Sequence, residues 1–283
     1  MDFDRQLEEL VNAAIAEDVG TGDHSTLSTI PAEATGKAQL KIKEDGILAG
    51  VTVARKIFQQ LEPASSLDIF KHDGETMKYG EVAFIVSAHV HTILKGERLV
   101  LNVMQRMSGI ATLTRKYTDI LNGYHTRVLD TRKTTPNFRL LEKEAVRIGG
   151  GINHRFGLYD MIMLKDNHID FCGGIEKAID NAYEYVQRVD PSLKIEVETR
   201  TLEDVKRVVA MGEGKVFRIM LDNFTPALIR QALPIINGAF ETEASGGINL
   251  ENLASYADTG VDYVSVGALI HQARSLDLSL KAM

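Results

Sequence analysis

Along residues 4–18 the apolar side chains Leu7, Leu10, Val11, Ala14 and Ile15 recur at helical spacing, which predicts a helix with one buried stripe. The run VGTGDHSTLSTIP that follows is rich in turn formers and predicts a loop; His24 within it reads as a local hydrogen-bonding group. From Gly36 to His91 the period shortens. KAQLKIKED alternates, with Ala38, Leu40 and Ile42 on one face, and LDIFK and VAFIVSAHVH are further strands around a helix over 51–61. These pieces predict a small α+β domain with an antiparallel sheet, suited to support, subunit contact or a lid. Residues 92–122 then read as one long helix, or two joined at Ser108-Gly109. It is apolar on more than one side, as a helix packed between two domains would be. On pattern alone, Arg98 is an exposed charge on that helix.

After Gly123 the grammar changes to a regular beat of strand and helix. RVLDT, MIMLKDN, LKIEVET, VFRIMLDN, AFETEAS and VDYVSVG are short apolar strands, and amphipathic stretches separate them. Such a beat predicts a parallel sheet with helices outside, arranged as an incomplete (β/α) barrel. A doubly wound open sheet is the alternative, weakened because no Gly-x-Gly-x-x-Gly follows any of the strands. The expected division is therefore an α+β domain over 1–112 and an α/β barrel domain over 113–283. The segment from about residue 268 is expected to pack back on the first domain.

Composition narrows the chemistry without changing this outline. The chain has 44% hydrophobic and 25% charged residues, no tryptophan and a net charge of −7. A lone cysteine, Cys172, excludes an internal disulfide and any cysteine-rich zinc site, and it reads as a small packing residue. The acidic start MDFDRQLEEL is unlike a signal peptide, and no apolar run approaches the ~20 residues that cross a bilayer, so a cytoplasmic protein is expected. Against the acidic background, residues 127–168 hold eight Lys/Arg and five Asp/Glu. A basic island in an acidic chain points to a small anionic ligand, not to nucleic acid or a membrane.

In a parallel barrel the active site lies at the carboxyl ends of the strands. The first strand ends in Asp130-Thr131-Arg132-Lys133 and the second in Lys165-Asp166-Asn167-His168. The third ends in Glu196-Val197-Glu198, the fourth in Asp222-Asn223, the fifth in Glu243-Ala244-Ser245-Gly246-Gly247 and the sixth in Val266-Gly267. Arg132, Lys133, Lys165 and the pair His154-Arg155 are suited to carboxylates and phosphates. Glu198 and Asp222 suit Mg²⁺ or sugar hydroxyls, and Glu198 is preferred to Glu196 because it lies nearer the strand end. His154 beside Arg155 is expected to stay neutral and donate a hydrogen bond. The glycines after Ser245, with Gly267, suit a phosphate. Arg139, Lys143 and Arg147 belong to the helix after the first strand, with Arg139 the best placed as a ligand. A multiply anionic ligand and a phosphorylated sugar follow from these residues; the substrate does not.

The runs TRKTTPNFRLLEKEAV, GGGINHRFGLYDMIMLKDNH, EVET, LDNF, EASGGI and VDYVSVGAL, with ERLVLNVMQRMSGIAT on the long helix, resemble the quinolinate phosphoribosyltransferase family from about residue 18 to the end. The resemblance implies a small N-terminal α+β domain beside an incomplete barrel of the type II phosphoribosyltransferase kind. It implies transfer of the phosphoribosyl group of phosphoribosyl pyrophosphate to quinolinate with decarboxylation, for NAD synthesis. It implies a homodimer in which Arg98 enters the neighbouring active site, which overturns the reading of Arg98 from pattern. Arg98, Arg132, His154, Arg155 and Lys165 would hold quinolinate. Thr131, Lys133, Lys165, Glu198, Asp222, Ser245, Gly246, Gly247 and Gly267 would hold the phosphoribosyl donor. Lys133, Glu198 and Asp222 would be catalytic, with Mg²⁺ carried on the pyrophosphate and near the two carboxylates. Asn137 stands where the family has glycine, and asparagine tolerates the same left-handed backbone. A same-fold transferase for another base, and a non-catalytic barrel that binds a phosphorylated metabolite, are the competing readings.

Overall fold

The computed structural model describes residues 2–283, which divide into two compact units. Among the described residues the first unit comprises 2–115, 133–150 and 269–283, and the second 116–132 and 151–268. The chain therefore crosses between units at Arg115/Lys116, Arg132/Lys133, Gly150/Gly151 and Ala268/Leu269, where the sequence suggests a break near residue 112 and a return near residue 268.

The first unit opens with α1 (Phe3–Val19), whose first turn is capped by the Asp2 carboxylate and whose Leu7 and Val11 are buried. The expected loop after it contains a short helix, α2 (His24–Thr29), because Asp23 accepts from the Thr26 main-chain N–H and caps it. Strand β1 (Thr35–Ile42) pairs antiparallel with β5 (Val82–His89), and β5 with β3 (Ser66–Ile69). Two short strands, β2 (Gly46–Ile47) and β4 (Thr76–Met77), form a separate ladder. Helix α3 (Val51–Leu61) starts at a left-handed Gly50; the carboxylate of Asp73 accepts from the Val51 and Thr52 N–H groups that no residue beside the helix start could satisfy.

Helix α4 (Val90–Ile120) is continuous over 31 residues, without a break at Ser108-Gly109. Gly109 is required there: a Cβ would lie 1.9 Å from the carbonyl oxygen of Arg274. Helix α5 (Arg139–Ile148) also groups with this unit.

The second unit carries six parallel strands. They are β6 (Arg127–Leu129), β7 (Ile162–Leu164), β8 (Ile195–Thr199), β9 (Arg218–Asp222), β10 (Glu241–Ser245) and β11 (Tyr263–Ser265). Their order in the sheet is β6-β11-β10-β9-β8-β7, so the first strand lies beside the last, as in a barrel. Between β6 and β7 only a bridge from Leu129 to Ile152 continues the ladder, which leaves the barrel incomplete. Helices α6 (Asp166–Cys172), α7 (Ile175–Val189), α8 (Leu202–Gly212), α9 (Pro226–Ile236) and α10 (Leu253–Ala257) fill the connections. Helix α6 is a turn the pattern does not show; two left-handed glycines, Gly173 and Gly174, divide it from α7. After α11 (Ala268–His271) the chain ends in β12 (Leu278–Ala282), which pairs antiparallel with β1 from Ala38–Ala282 to Ile42–Leu278.

Candidate active site

The carboxyl ends of β8, β9 and β10 bring Glu198, Asp222 and Ser245 to one rim, since Ser245 is in register with Asp222 and Glu198 with Met220. The Ser245 hydroxyl donates to Asp222 Oδ1 at 2.7 Å, and the Asn223 amide to Oδ2 at 2.7 Å. Burial, and then the charge of Asp222, raises the Glu198 pKa; the Asp166 N–H and Lys165 oppose the rise. The turn beyond Ser245 is glycine by necessity. Gly246 has φ +93°, and a Cβ there would sit 2.2 Å from Asn223 Oδ1 and 3.1 Å from its Cα. Gly247 (φ +66°) follows, and Gly267 stands just beyond β11. Lys165, exposed at the end of β7, caps α6 together with His168, whose Nδ1 accepts the Lys165 N–H at 3.0 Å.

The loop between β6 and β7 is tied from its main chain. Asp130, fully buried after β6, accepts the His154 N–H at 2.8 Å. The Asp160 carboxylate accepts from Phe156 and Gly157. Arg155 donates to the Met161 carbonyl at 3.0 Å and lies against the Met163 sulfur at 3.7 Å. Burial and then the charge of the Arg132 guanidinium lower its pKa, while Glu196 and Asp160 raise it, so a second cation acts on Arg155 within this unit. That is a costly arrangement for a protein alone and a useful one for an anion.

His154 differs from the expectation. It is buried, with Nε2 at 3.1 Å from Glu196 Oε2 and 3.2 Å from Glu243 Oε2. Its Nδ1 accepts the Arg155 main-chain N–H at 2.7 Å. Both ring nitrogens thus face groups of the protein itself. Arg155 does not keep the ring neutral: burial opposes a charge on the ring, but Glu196 and Glu243 outweigh burial and raise its pKa to about 9. Glu196, buried and beside Glu243, is itself raised to about 7. Arg218 completes the cluster, 3.1 Å from Glu243 and 3.7 Å from Glu196. Alternation along β8 puts Glu196 on the same strand face as Glu198, one step deeper. That is the signal the sequence offers for this cluster, and the preference for strand ends passes over it.

The other basic residues lie in the first unit. Lys133 lines a cavity of about 460 Å³ with Arg106, Thr134, Thr135, Pro136, Ile270 and His271. Its wall rests on Glu142, which is fully buried on α5 and accepts two bonds from Arg106 (3.0 and 2.8 Å) and two from Thr135 (2.8 and 3.0 Å). Arg106 also donates to the carbonyls of Ala273 and Ile270. Neither Arg106 nor Glu142 stands out in the sequence, where both are ordinary helix charges. Asn137 adopts φ +60°, the conformation its place demands. Arg139 donates to the Thr134 hydroxyl at 2.9 Å, Arg147 pairs with Glu144 and Lys143 is buried. The basic island is therefore shared between the two units, with Arg132, Arg155 and Lys165 in the second and Lys133, Arg139, Lys143 and Arg147 in the first. Arg98 is exposed on α4, with Glu97 at 3.8 Å as its nearest ion partner. Cys172, at the end of α6, accepts a bond from the Asn181 amide, and His24 meets Thr21.

Two family profiles match end to end. Quinolinate phosphoribosyl transferase, N-terminal domain, covers residues 23–108, and the C-terminal domain of the same family covers 110–281. The chain belongs to the quinolinate phosphoribosyltransferase family. Among its relatives in this family, the chain is 44% identical to the chloroplastic nicotinate-nucleotide pyrophosphorylase [carboxylating] of Arabidopsis thaliana, over 97% of this chain and 82% of that protein. It is 43% identical to the probable nicotinate-nucleotide pyrophosphorylase [carboxylating] of Bacillus subtilis, over 97% and 93%. The crystal structure of NadC from Streptococcus pyogenes superposes with a TM-score of 0.90 at 39% identity, covering 98% of this chain and 97% of that one. The border between the two family domains, at residues 108–110, falls inside α4, so one continuous helix serves both quinolinate phosphoribosyltransferase domains. No helix among the described residues is long and apolar enough to cross a membrane.

Proposed function

We propose that this chain transfers the 5-phosphoribosyl group of phosphoribosyl pyrophosphate to quinolinate, with loss of CO₂, and so makes nicotinate mononucleotide for NAD synthesis. The reading is carried by one observation: Asp222 and Ser245 join at the strand ends with Glu198 on the next strand and the Gly246 turn behind them, in the same unit where the Arg155 guanidinium is anchored on the Met161 carbonyl and acted on by the charge of Arg132. Two adjacent carboxylates are the ligand that such a pair of arginines fits, with Lys165 adding a further cation. Family membership supplies the reaction.

The chemistry needs no covalent nucleophile. Cations on the two carboxylates orient the pyridine nitrogen toward the anomeric carbon. The ring nitrogen's lone pair forms the new bond as pyrophosphate departs with the electrons of the C–O bond. Glu198 and Asp222 face the ribose hydroxyls and favour the positive charge that develops on the sugar. The Ser245–Gly247 turn and Gly267 offer main-chain N–H groups to the 5-phosphate. The alkylated ring is then an electron sink: CO₂ leaves, its electron pair stays on the ring carbon, and a proton from water completes the product.

The hard oxygen donors of Glu198 and Asp222 also fit magnesium, because two carboxylates close enough to raise one pKa gain from a cation. When bound, Mg²⁺ would offset the charge of the pyrophosphate leaving group. A homodimer belongs to the same reading, with exposed Arg98 entering the partner's site, as does action in the cytoplasm. The deciding assay supplies quinolinate, phosphoribosyl pyrophosphate and Mg²⁺. Nicotinate mononucleotide and CO₂ are expected in equal amounts. Turnover of nicotinate and not quinolinate would assign the chain to another base, and the absence of any product would sink the proposal.

A further inference from the structure

The cluster His154–Glu196–Glu243–Arg218 lies below the rim and has no part in the chemistry above. Glu196 and Glu243 are wholly buried, on β8 and β10, and Arg218 starts β9 between them. Their donor set resembles a metal site, with a histidine nitrogen and two carboxylate oxygens within 4.8 Å of one another. Arg218 argues against that reading. Its guanidinium already supplies the cation, at 3.1 Å from Glu243, and is anchored a second time on Glu241 at 2.8 Å.

The polarity of the hydrogen bonds at His154 is more informative. The Arg155 amide points its hydrogen at Nδ1, so Nδ1 must offer a lone pair. A ring proton on Nδ1 would face that amide hydrogen. Nε2 must then carry the only ring proton, and it faces the two carboxylates. The charge preference of the ring and the bond at Nδ1 pull in opposite directions, and the 2.7 Å bond decides between them.

We infer that Glu196, Glu243 and Arg218 are positioning residues: they fix His154 as its Nε2–H tautomer, so that Nδ1 holds the Arg155 main chain and sets the direction of the Arg155 guanidinium. Asp130 holds the preceding N–H, so two consecutive amides of this loop are pinned by buried acceptors. Met163, which touches the guanidinium, is in register with Glu196 on the next strand, so carboxylate and arginine share one wall. The functional part of this inference rests on the proposed binding of quinolinate by Arg155.

The first test needs no activity. In ¹⁵N-histidine-labelled protein at pH 7.5, assigned by comparison with His154→Gln, the His154 spectrum should show an unprotonated Nδ1 and a protonated Nε2. An imidazolium, or the opposite tautomer, would overturn the inference whatever the enzyme's substrate. Glu243→Gln, which can present an N–H to Nε2, should shift this signature. An unchanged spectrum would count against the assignment.

The second test reads quinolinate and the phosphoribosyl donor separately. Glu196→Ala should raise the quinolinate KM at least tenfold while the donor KM stays within about twofold, and Glu196→Gln, which keeps the shape, should recover most of the loss. In combination with Arg155→Lys the penalty should be less than multiplicative, because both changes act on one guanidinium. A fully multiplicative penalty, or equal loss for both substrates, would reduce Glu196 to a packing residue. If the parent protein does not turn over quinolinate, the functional proposal fails, and the spectrum still decides the tautomer.

Discussion

Gly246 lies where two requirements coincide, positive φ and a wall formed by the Asn223 side chain and Cα, and a third joins them in the proposed reading: a main chain offered to the 5-phosphate. Gly246→Ala is expected to cost about 1–2 kcal/mol for the backbone conformation alone, with more from the contact at 2.2 Å. It should also raise the KM for the phosphoribosyl donor well above any change for quinolinate. Urea denaturation and steady-state kinetics read the two effects. At the same scale, the buried cluster makes stability depend on pH. Glu196 is raised to about 7, so the stability it contributes by staying protonated is complete below its unfolded pKa, near 4.5, and is lost as pH rises through 7. The attraction of Glu196 and Glu243 that raises the His154 pKa from 6.5 to about 9 keeps a further proton within the cluster and extends the loss to that pH. The total depends on how many protons the cluster holds, not on which atom holds them. Unfolding free energy should therefore fall by several kcal/mol between pH 5 and 9, and Glu196→Gln should flatten part of that fall.

At the scale of elements, Glu142 joins α4, the 133–136 loop, α5 and the segment after α11 by way of Arg106 and Thr135. Breaking a buried ion pair from one side costs about 3–5 kcal/mol. Arg106→Leu is therefore expected to lower the denaturation midpoint sharply and to loosen Lys133, which would appear as faster amide exchange at 133–136. The strand and helix beat of the second unit was plain in the sequence because short apolar strands leave few alternatives, and the rim residues followed from asking where each strand stops. Three features were hidden. The helix α6 (Asp166–Cys172) falls between the strand MIMLKDN and the helix that the pattern begins at Gly174, where too few residues remain to show a period. Arg218 and Glu243 face inward with opposite charges that cancel, and a buried charge that is paired looks like an exposed one in sequence. Arg106 and Glu142 lie 36 positions apart, and nothing local links them.

For the whole molecule, the proposal that Arg98 enters a partner's site makes a sharp forecast. Arg98→Ala and Lys133→Ala proteins, each inactive, should regain activity when mixed under conditions of subunit exchange, up to about a quarter of the parent if one intact site forms per mixed dimer and assembly is statistical. No recovery in a mixture shown by native mass spectrometry to hold heterodimers would remove Arg98 from the neighbouring site. The ratio of mixed to parental species fixes the expected yield, so a shortfall is also readable.

The pairing of β12 with β1 sets a schedule for synthesis. The first unit is made from the beginning of the chain, a piece of its middle and its last residues, and its sheet gains its outer strand only from residues 278–282. At ribosomal speeds of ~5–20 residues per second, the chain between residues 115 and 269 takes roughly 10–30 s to emerge. During that interval β1 has an open edge and the second unit is still being made. A nascent chain paused near residue 260 should therefore bind a holdase chaperone that the released protein ignores. Stopping translation at codon 277, which removes β12 and leaves every rim residue, should yield a protein that aggregates through the edge of β1 and does not merely lose activity.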